Sequence, residues 1–213
     1  MSCLSSQRYN FLKANHNDGP KPGAEAKVEA VRGFIREIEG FKSVTIHASP
    51  ENRGLARSII AGVTKILESH SSVIVMEDDL LTSPNFLDFM NQGLSFYRDI
   101  PKVLSISGYS FPIDYPADFP YDATFGICAS SWGWATWKTR WESVDWECRE
   151  WKRMRFNPLA RWRFNRGGSD ISLMLSCHAR QNQLLGDPIL LPSIQPWPIR
   201  CIPCHIEGRQ HWS

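Results

Sequence analysis

The sequence contains no apolar run near the roughly 20 residues that a membrane helix requires, so no span is expected among its 213 residues. It also lacks a strong charge of either sign. Its 24 basic and 22 acidic residues leave a formal +2, too little to make nucleic acid or an anionic membrane the main partner of the whole chain. Met1 to Asn17 is polar and has no apolar h-region, which excludes a secretory signal there and makes the cytoplasm the expected compartment. Cysteines are few and irregularly spaced, six in all, so reduced thiols are expected rather than a disulfide framework. What remains is ordinary for a globular protein: 42% hydrophobic and 22% charged residues, in a length that suits one α/β domain with a sizeable core.

Between Asp18 and Ser107 the hydrophobic pattern switches regularly between two periods. Asp18-Gly19-Pro20 is a turn signal. Val28, Val31, Phe34, Ile35 and Ile38 recur at helical spacing over Lys27 to Glu39, and Gly40 supplies the stop. Ser43 to Ala48 is short and β-branched, which predicts a strand. After the loop from Pro50 to Gly54 comes a helix with Leu55, Ile59, Ile60, Val63, Ile66 and Leu67 on one side. Ser72 to Met76 is a continuous apolar run, as in strands covered on both faces of a parallel sheet. Ser83-Pro84 suits an N-cap followed by Pro at the first helical position, with Phe86, Phe89, Met90 and Tyr97 continuing the helix. Lys102 to Ser107 predicts one more strand.

Strands alternating with helices at this interval predict right-handed βαβ units and a mostly parallel sheet. Ligands of such sheets gather beyond the carboxyl ends of the strands. Asp18, the Asn52-Arg53-Gly54 loop and Glu77-Asp78-Asp79 all fall at or just after expected strand ends, so one shared rim is expected. Three carboxylates in a row after a buried strand repel one another, and stability alone gives little reason for them. A divalent cation relieves that repulsion, and hard oxygen ligands suit Mg²⁺ or Mn²⁺. Such a cation could bridge a substrate diphosphate. The plainer alternative is a solvated acidic turn in which Asp79 or Thr82 helps to cap the next helix.

The run from Val73 to Met90, with Glu77-Asp78-Asp79 inside it, resembles the acidic-motif segment of GT-A glycosyltransferases. It is especially similar to the Golgi N-acetylglucosaminyltransferase I type and to bacterial sugar transferases built like it. Glu51 to Ala56 resembles their donor-side loop, Asp18-Gly19-Pro20 the turn facing the nucleotide, and Ser130 to Lys138 the Gly-Trp loop and helix on the acceptor side. The match spans roughly Asp18 to Phe164, and the order and spacing of the four segments are its most specific feature. The resemblance implies a GT-A fold, with a mixed, mostly parallel, Rossmann-like sheet and flanking helices. It implies a nucleotide-diphosphate sugar as donor, a saccharide acceptor, Mn²⁺ or Mg²⁺, and inversion by direct displacement with a carboxylate base. By position, Asp79 is then the metal ligand. Glu77 and Asp78 would contact the donor's ribose and sugar, with Asp18, Gly19, Asn52 and Arg53 on the nucleotide side.

Tryptophan is the residue present in excess. Seven of the nine lie between Trp132 and Trp162. Trp134, Trp137 and Trp141 recur at three- and four-residue spacing, which predicts one face of a helix, and Trp137 and Trp141 are expected to pack on the sheet. Trp132 and Trp134 flank Gly133 at an expected loop end, where a ring can stay partly open. Indole faces pack on the C–H face of sugars while the N–H stays free to donate. Trp132, Gly133 and Trp134 are therefore the acceptor candidates. Lys152, Arg153, Arg155, Arg161 and Arg163 interleave with the later tryptophans, but Glu142, Asp145, Glu147 and Glu150 offset them, and no nucleic-acid module is visible.

Both ends depart from the family pattern. Residues 1–17 are too short and polar to supply the family's first strand and nucleotide turn, so a poorly structured remnant is expected before a glycosyltransferase-like domain over 18–183. After Gln183 the text turns Pro-rich and loses all periodicity, where bacterial relatives carry a segment like Asp-Ser-Trp-Ala-Ile-Arg-Trp-Tyr with the catalytic base. With wobble bases chosen freely, a one-base shift from Leu184 yields Ser-Trp-Ala-Ile-Arg-Phe-Tyr-Tyr-His-Gln-Phe, and the constrained second codon bases agree throughout. Residues 184–213 are accordingly expected to be an irregular, out-of-frame tail, which sequencing the gene across codon 184 would check. Cys201-Ile-Pro-Cys-His205 fits a haem-attachment pattern, or half a zinc site with His211; an accidental pattern is expected. The base is left with two weak candidates, Asp187 in an atypical Gly-Asp-Pro context and Asp145. Two other functions stay open: an inactive remnant that binds nucleotide and metal without turnover, and a metal-dependent phosphoesterase using the same triplet.

Overall fold

The computed structural model describes residues 10–11, 24–47, 55–77, 79–110, most of 114–146, 156–165 and 200–203. The chain divides into two compact units, Met1–Ile66 and Leu67–Ser213. The domain expected over 18–183 is thus spread across both.

In the first unit β1 (Asn10–Phe11) pairs in parallel with β2 (Ser43–Val44). A strand therefore stands within the stretch expected to be a remnant, and β2 is shorter than the strand expected over 43–48. Helix α1 (Ala24–Arg36) begins a turn earlier than the periodicity suggested. Of its apolar stripe Ile35 is buried, whereas Phe34 is exposed. Helix α2 (Leu55–Leu67) matches its expectation and buries Val63 and Leu67.

The second unit is built on a four-stranded sheet in the order β3-β5-β4-β6. Strand β3 is Ser72–Val75, β4 is Val103–Ser107, β5 is Trp134–Trp137 and β6 is Arg200–Pro203. Both β3 and β4 are antiparallel to β5, and β6 is parallel to β4. The fold is mixed α/β, and β3 and β4 do point the same way on either side of helix α3 (Phe86–Phe96) in the sequence. They are not neighbours, because β5 runs in the opposite sense between them. Among the described residues a mostly parallel sheet of adjoining βαβ units is not seen. Strand β6 falls in the stretch expected to be irregular; its Pro203 sits at the edge of the sheet, where a missing N–H is tolerated.

The core lies between α3 and the sheet. Phe86, Phe89, Met90 and Leu94 repeat at helical spacing and pack with Val103, Ile106, Ala135 and Trp137. Alternation along β5 sends Ala135 and Trp137 toward α3, and Trp134 and Thr136 to the other face. That second face is covered as well: Trp134 stacks on Trp141 at 5.9 Å, and Trp141 meets Trp146 at 4.3 Å. All four residues of β5 are buried. The helix expected to carry Trp134, Trp137 and Trp141 on one face is therefore a strand for its first two tryptophans. The chain turns helical only at α4 (Lys138–Trp141).

Two side chains of this segment finish the end of α3. The Trp137 Nε1–H donates to the Leu94 carbonyl at 3.1 Å, one of the last helical carbonyls, which have no partner within a helix. Arg140 donates to the carbonyls of Tyr97 and Arg98, and its guanidinium lies 4.5 Å from the centre of the Trp137 ring. A cation there complements the negative end of the helix dipole. The start of α3 differs from expectation: Pro84 and Asn85 form a turn closed by the Phe86 N–H donating to the Ser83 carbonyl at 3.1 Å, and Asn85 takes the N-cap position.

Candidate functional site

Strands β3, β5 and β4 end their ladders on one row, Val75 opposite Trp134 and Trp134 opposite Ser107. Because β5 runs against the other two, the chain after β3, the chain after β4 and the chain before β5 all leave the sheet at the same end. Two residues beyond that last row in the chain come Glu77, Tyr109 and Trp132, just outside three adjacent strands. Glu77 and the Gly-Trp loop, far apart in sequence, therefore leave the sheet at the same end. This is the carboxyl end of β3 and β4.

Two glycines set the floor of the rim. The Gly108 N–H donates to the Gly133 carbonyl at 2.7 Å, so the two backbones touch. A Cβ at Gly108 would lie 2.4 Å from Phe86 Cε2, and one at Gly133 would lie 2.9 Å from the same ring. Gly133 also has φ +71°, a left-handed conformation costly for residues with a Cβ. Gly133→Ala is expected to destabilise this unit by about 1–3 kcal/mol, read as a lower thermal midpoint; an unchanged midpoint would show that the loop does not need this conformation.

The aromatic side of the rim is a pair. Trp132 is 48% exposed, its backbone N–H donates to Ser130 Oγ at 3.2 Å, and its ring meets Tyr109 edge-on at 4.5 Å. Its ring is partly open, as expected of an acceptor candidate. Trp134 differs. It was expected at an open loop end, but it lies in β5 and is only 3% exposed, with its ring stacked on Trp141. That burial removes it from the surface that a saccharide could touch. Tyr109 takes its place at the rim, and no sequence reading singled it out. The signal was present: β4 was expected to end at Ser107, so the rule that brought Glu77 to attention applied equally to Gly108 and Tyr109.

On the acidic side, Glu77 follows β3 half-buried and Asp79 is exposed in a turn. Asp78 lies outside the described residues, as do Asp18, Gly19, Asn52, Arg53, Asp145, Asp187, Cys204 and His205. Among the described residues there is no group of three or more His, Cys, Asp or Glu placed to hold a metal ion. Among the described residues no helix is long and apolar enough to cross a membrane. No protein-family model matches the chain, and no match was found among curated proteins.

Proposed function

We propose that the chain is a glycosyltransferase, moving a sugar from a nucleotide-diphosphate sugar to a saccharide acceptor with the help of Mn²⁺ or Mg²⁺. The observation that supports this is the common exit of β3, β4 and β5, which sets Glu77 and a half-open aromatic pair on one rim. Transfer between a charged donor and a sugar acceptor calls for both kinds of group. In this reading Asp79 is the metal ligand, and Glu77 and Asp78 contact the donor's ribose and sugar. A divalent cation bound there supplies charge neutralisation for the diphosphate that departs. Trp132 and Tyr109 hold the acceptor by apolar contact with its C–H face, the indole N–H remaining available to a hydroxyl. The acceptor hydroxyl forms the new bond at the anomeric carbon, the bond to the diphosphate breaks, and a carboxylate takes the proton. Asp145 and Asp187 are the candidates for that carboxylate.

Isothermal titration of the full chain with a panel of sugar nucleotides, with and without Mn²⁺, tests the proposal. Affinity for at least one member that rises with the cation, together with transfer or donor hydrolysis, is the expected result. Cation-assisted binding without turnover would instead identify a non-catalytic relative. Turnover of simple phosphoesters with no response to any sugar nucleotide would make the chain a phosphoesterase.

A further inference from the structure

The near-neutral balance of the whole chain conceals a local excess. From Trp151 to Ser169 there is no acidic residue, while Lys152, Arg153, Arg155, Arg161, Arg163 and Arg166 are all basic. The four acids that offset the charge in this part of the sequence all precede Trp151. Within this stretch lies helix α5 (Pro158–Phe164). Its start is fixed locally: Asn157 Oδ1 accepts from the Ala160 N–H at 3.1 Å, and Pro158 occupies the first helical position, where its missing N–H costs nothing. This short, capped helix and the residue leading into it display large apolar side chains to the outside. Phe156 is 78% exposed, Leu159 63% and Trp162 62%, at three-residue intervals with exposed Arg161 among them.

We infer that this segment is a membrane-surface anchor which rests on anionic phospholipid, with Phe156, Leu159 and Trp162 entering the headgroup boundary and Arg161 meeting lipid phosphates. Three features favour that occupant. Aromatic and aliphatic side chains flanked by Lys and Arg are the composition of helices that lie in the interface plane. The uninterrupted positive charge is complementary to an anionic leaflet. Single-stranded nucleic acid needs aromatic faces on which bases can stack, and Leu159, in the middle of the exposed set, offers none. A helix this short lies on a membrane and does not cross it.

Cosedimentation of the full chain with phosphatidylcholine vesicles, with and without phosphatidylglycerol, tests this. Binding is expected only when the anionic lipid is present, and it should weaken as salt rises. The double variant Leu159→Ser, Trp162→Ser is expected to lose at least about tenfold in vesicle affinity. Arg161→Gln, which leaves the apolar side chains intact, is expected to lose about fivefold. Both should melt at the temperature of the parent chain, because the altered side chains are exposed. Equal binding to neutral vesicles, no binding to either kind, or unaltered affinity in the variants would each overturn the assignment. Tighter binding of a single-stranded RNA oligonucleotide than of anionic vesicles would do so as well.

Discussion

Trp137→Ala is expected to destabilise the Leu67–Ser213 unit by about 3–5 kcal/mol, a large share of the roughly 5–15 kcal/mol that holds a typical domain together. The ring is buried at the centre of the α3–sheet core, so truncation leaves a cavity that its neighbours fill only in part. Truncation also removes the donor to the Leu94 carbonyl and the aromatic face under Arg140. Trp137→Phe separates these contributions. Phenylalanine retains most of the apolar surface but leaves a buried carbonyl without its donor, a cost of about 1–3 kcal/mol. Denaturant unfolding of both variants provides the check. The order parent, Phe, Ala in midpoint is required, and an alanine variant as stable as the phenylalanine one would mean that Trp137 does not fill the core in this way.

Asp79→Ala carries the largest expected effect on binding. Asp79 is exposed in the turn after β3, and substitutions at such positions usually change stability by about 0.5 kcal/mol or less, so its removal should be felt at the site and not in the fold. Loss of a group that merely orients a metal ligand typically costs about 10–100-fold in metal affinity. Loss of the ligand itself should reach or exceed the upper end of that range for Mn²⁺-assisted binding of a sugar nucleotide. Binding measured without metal should barely change, because only the bridging contribution is lost. Paired titrations of parent and variant, with melting curves alongside, give the answer. Undiminished Mn²⁺-assisted affinity in a folded Asp79→Ala chain would remove Asp79 as the ligand. A variant that lost affinity equally with and without Mn²⁺ would point to direct contact between Asp79 and the nucleotide.

Helices α1, α2 and α3 and two of the strands were legible because their burial is one-sided or their runs are plainly apolar. Val63 and Leu67 in α2, and Phe86, Phe89, Met90 and Leu94 in α3, leave a 3.6-residue trace. Ser72–Val75 and Val103–Ser107 are short runs rich in β-branched residues. Strand β5 was not legible, for a physical reason. Its four residues are covered on both faces, so no polar alternation marks it, and tryptophans at 134, 137 and 141 happen to match helical spacing. Mistaking β5 for a helix concealed the order of the sheet, since nothing in β3 or β4 announces that a later segment will come between them. The candidate site suffered the same way. Its acidic half could be read from three carboxylates after a strand. Its aromatic half was expected at Trp132 and Trp134, but Trp134 is enclosed in β5, and Tyr109 faces Trp132.

The place of β5 also governs how this unit can come into being. When the chain has been made only as far as Ser107, β3 and β4 exist as sequence but lack the strand that lies between them, and their ladders to β5 cannot start. Pairing Ser72 with Trp137 requires closing the long intervening segment, and contacts so distant in sequence form late and slowly. Until then two apolar edges remain open to strands from other molecules. The rim described above is assembled in that same closing step, so neither its carboxylates nor its aromatic pair have a defined setting in a half-made chain.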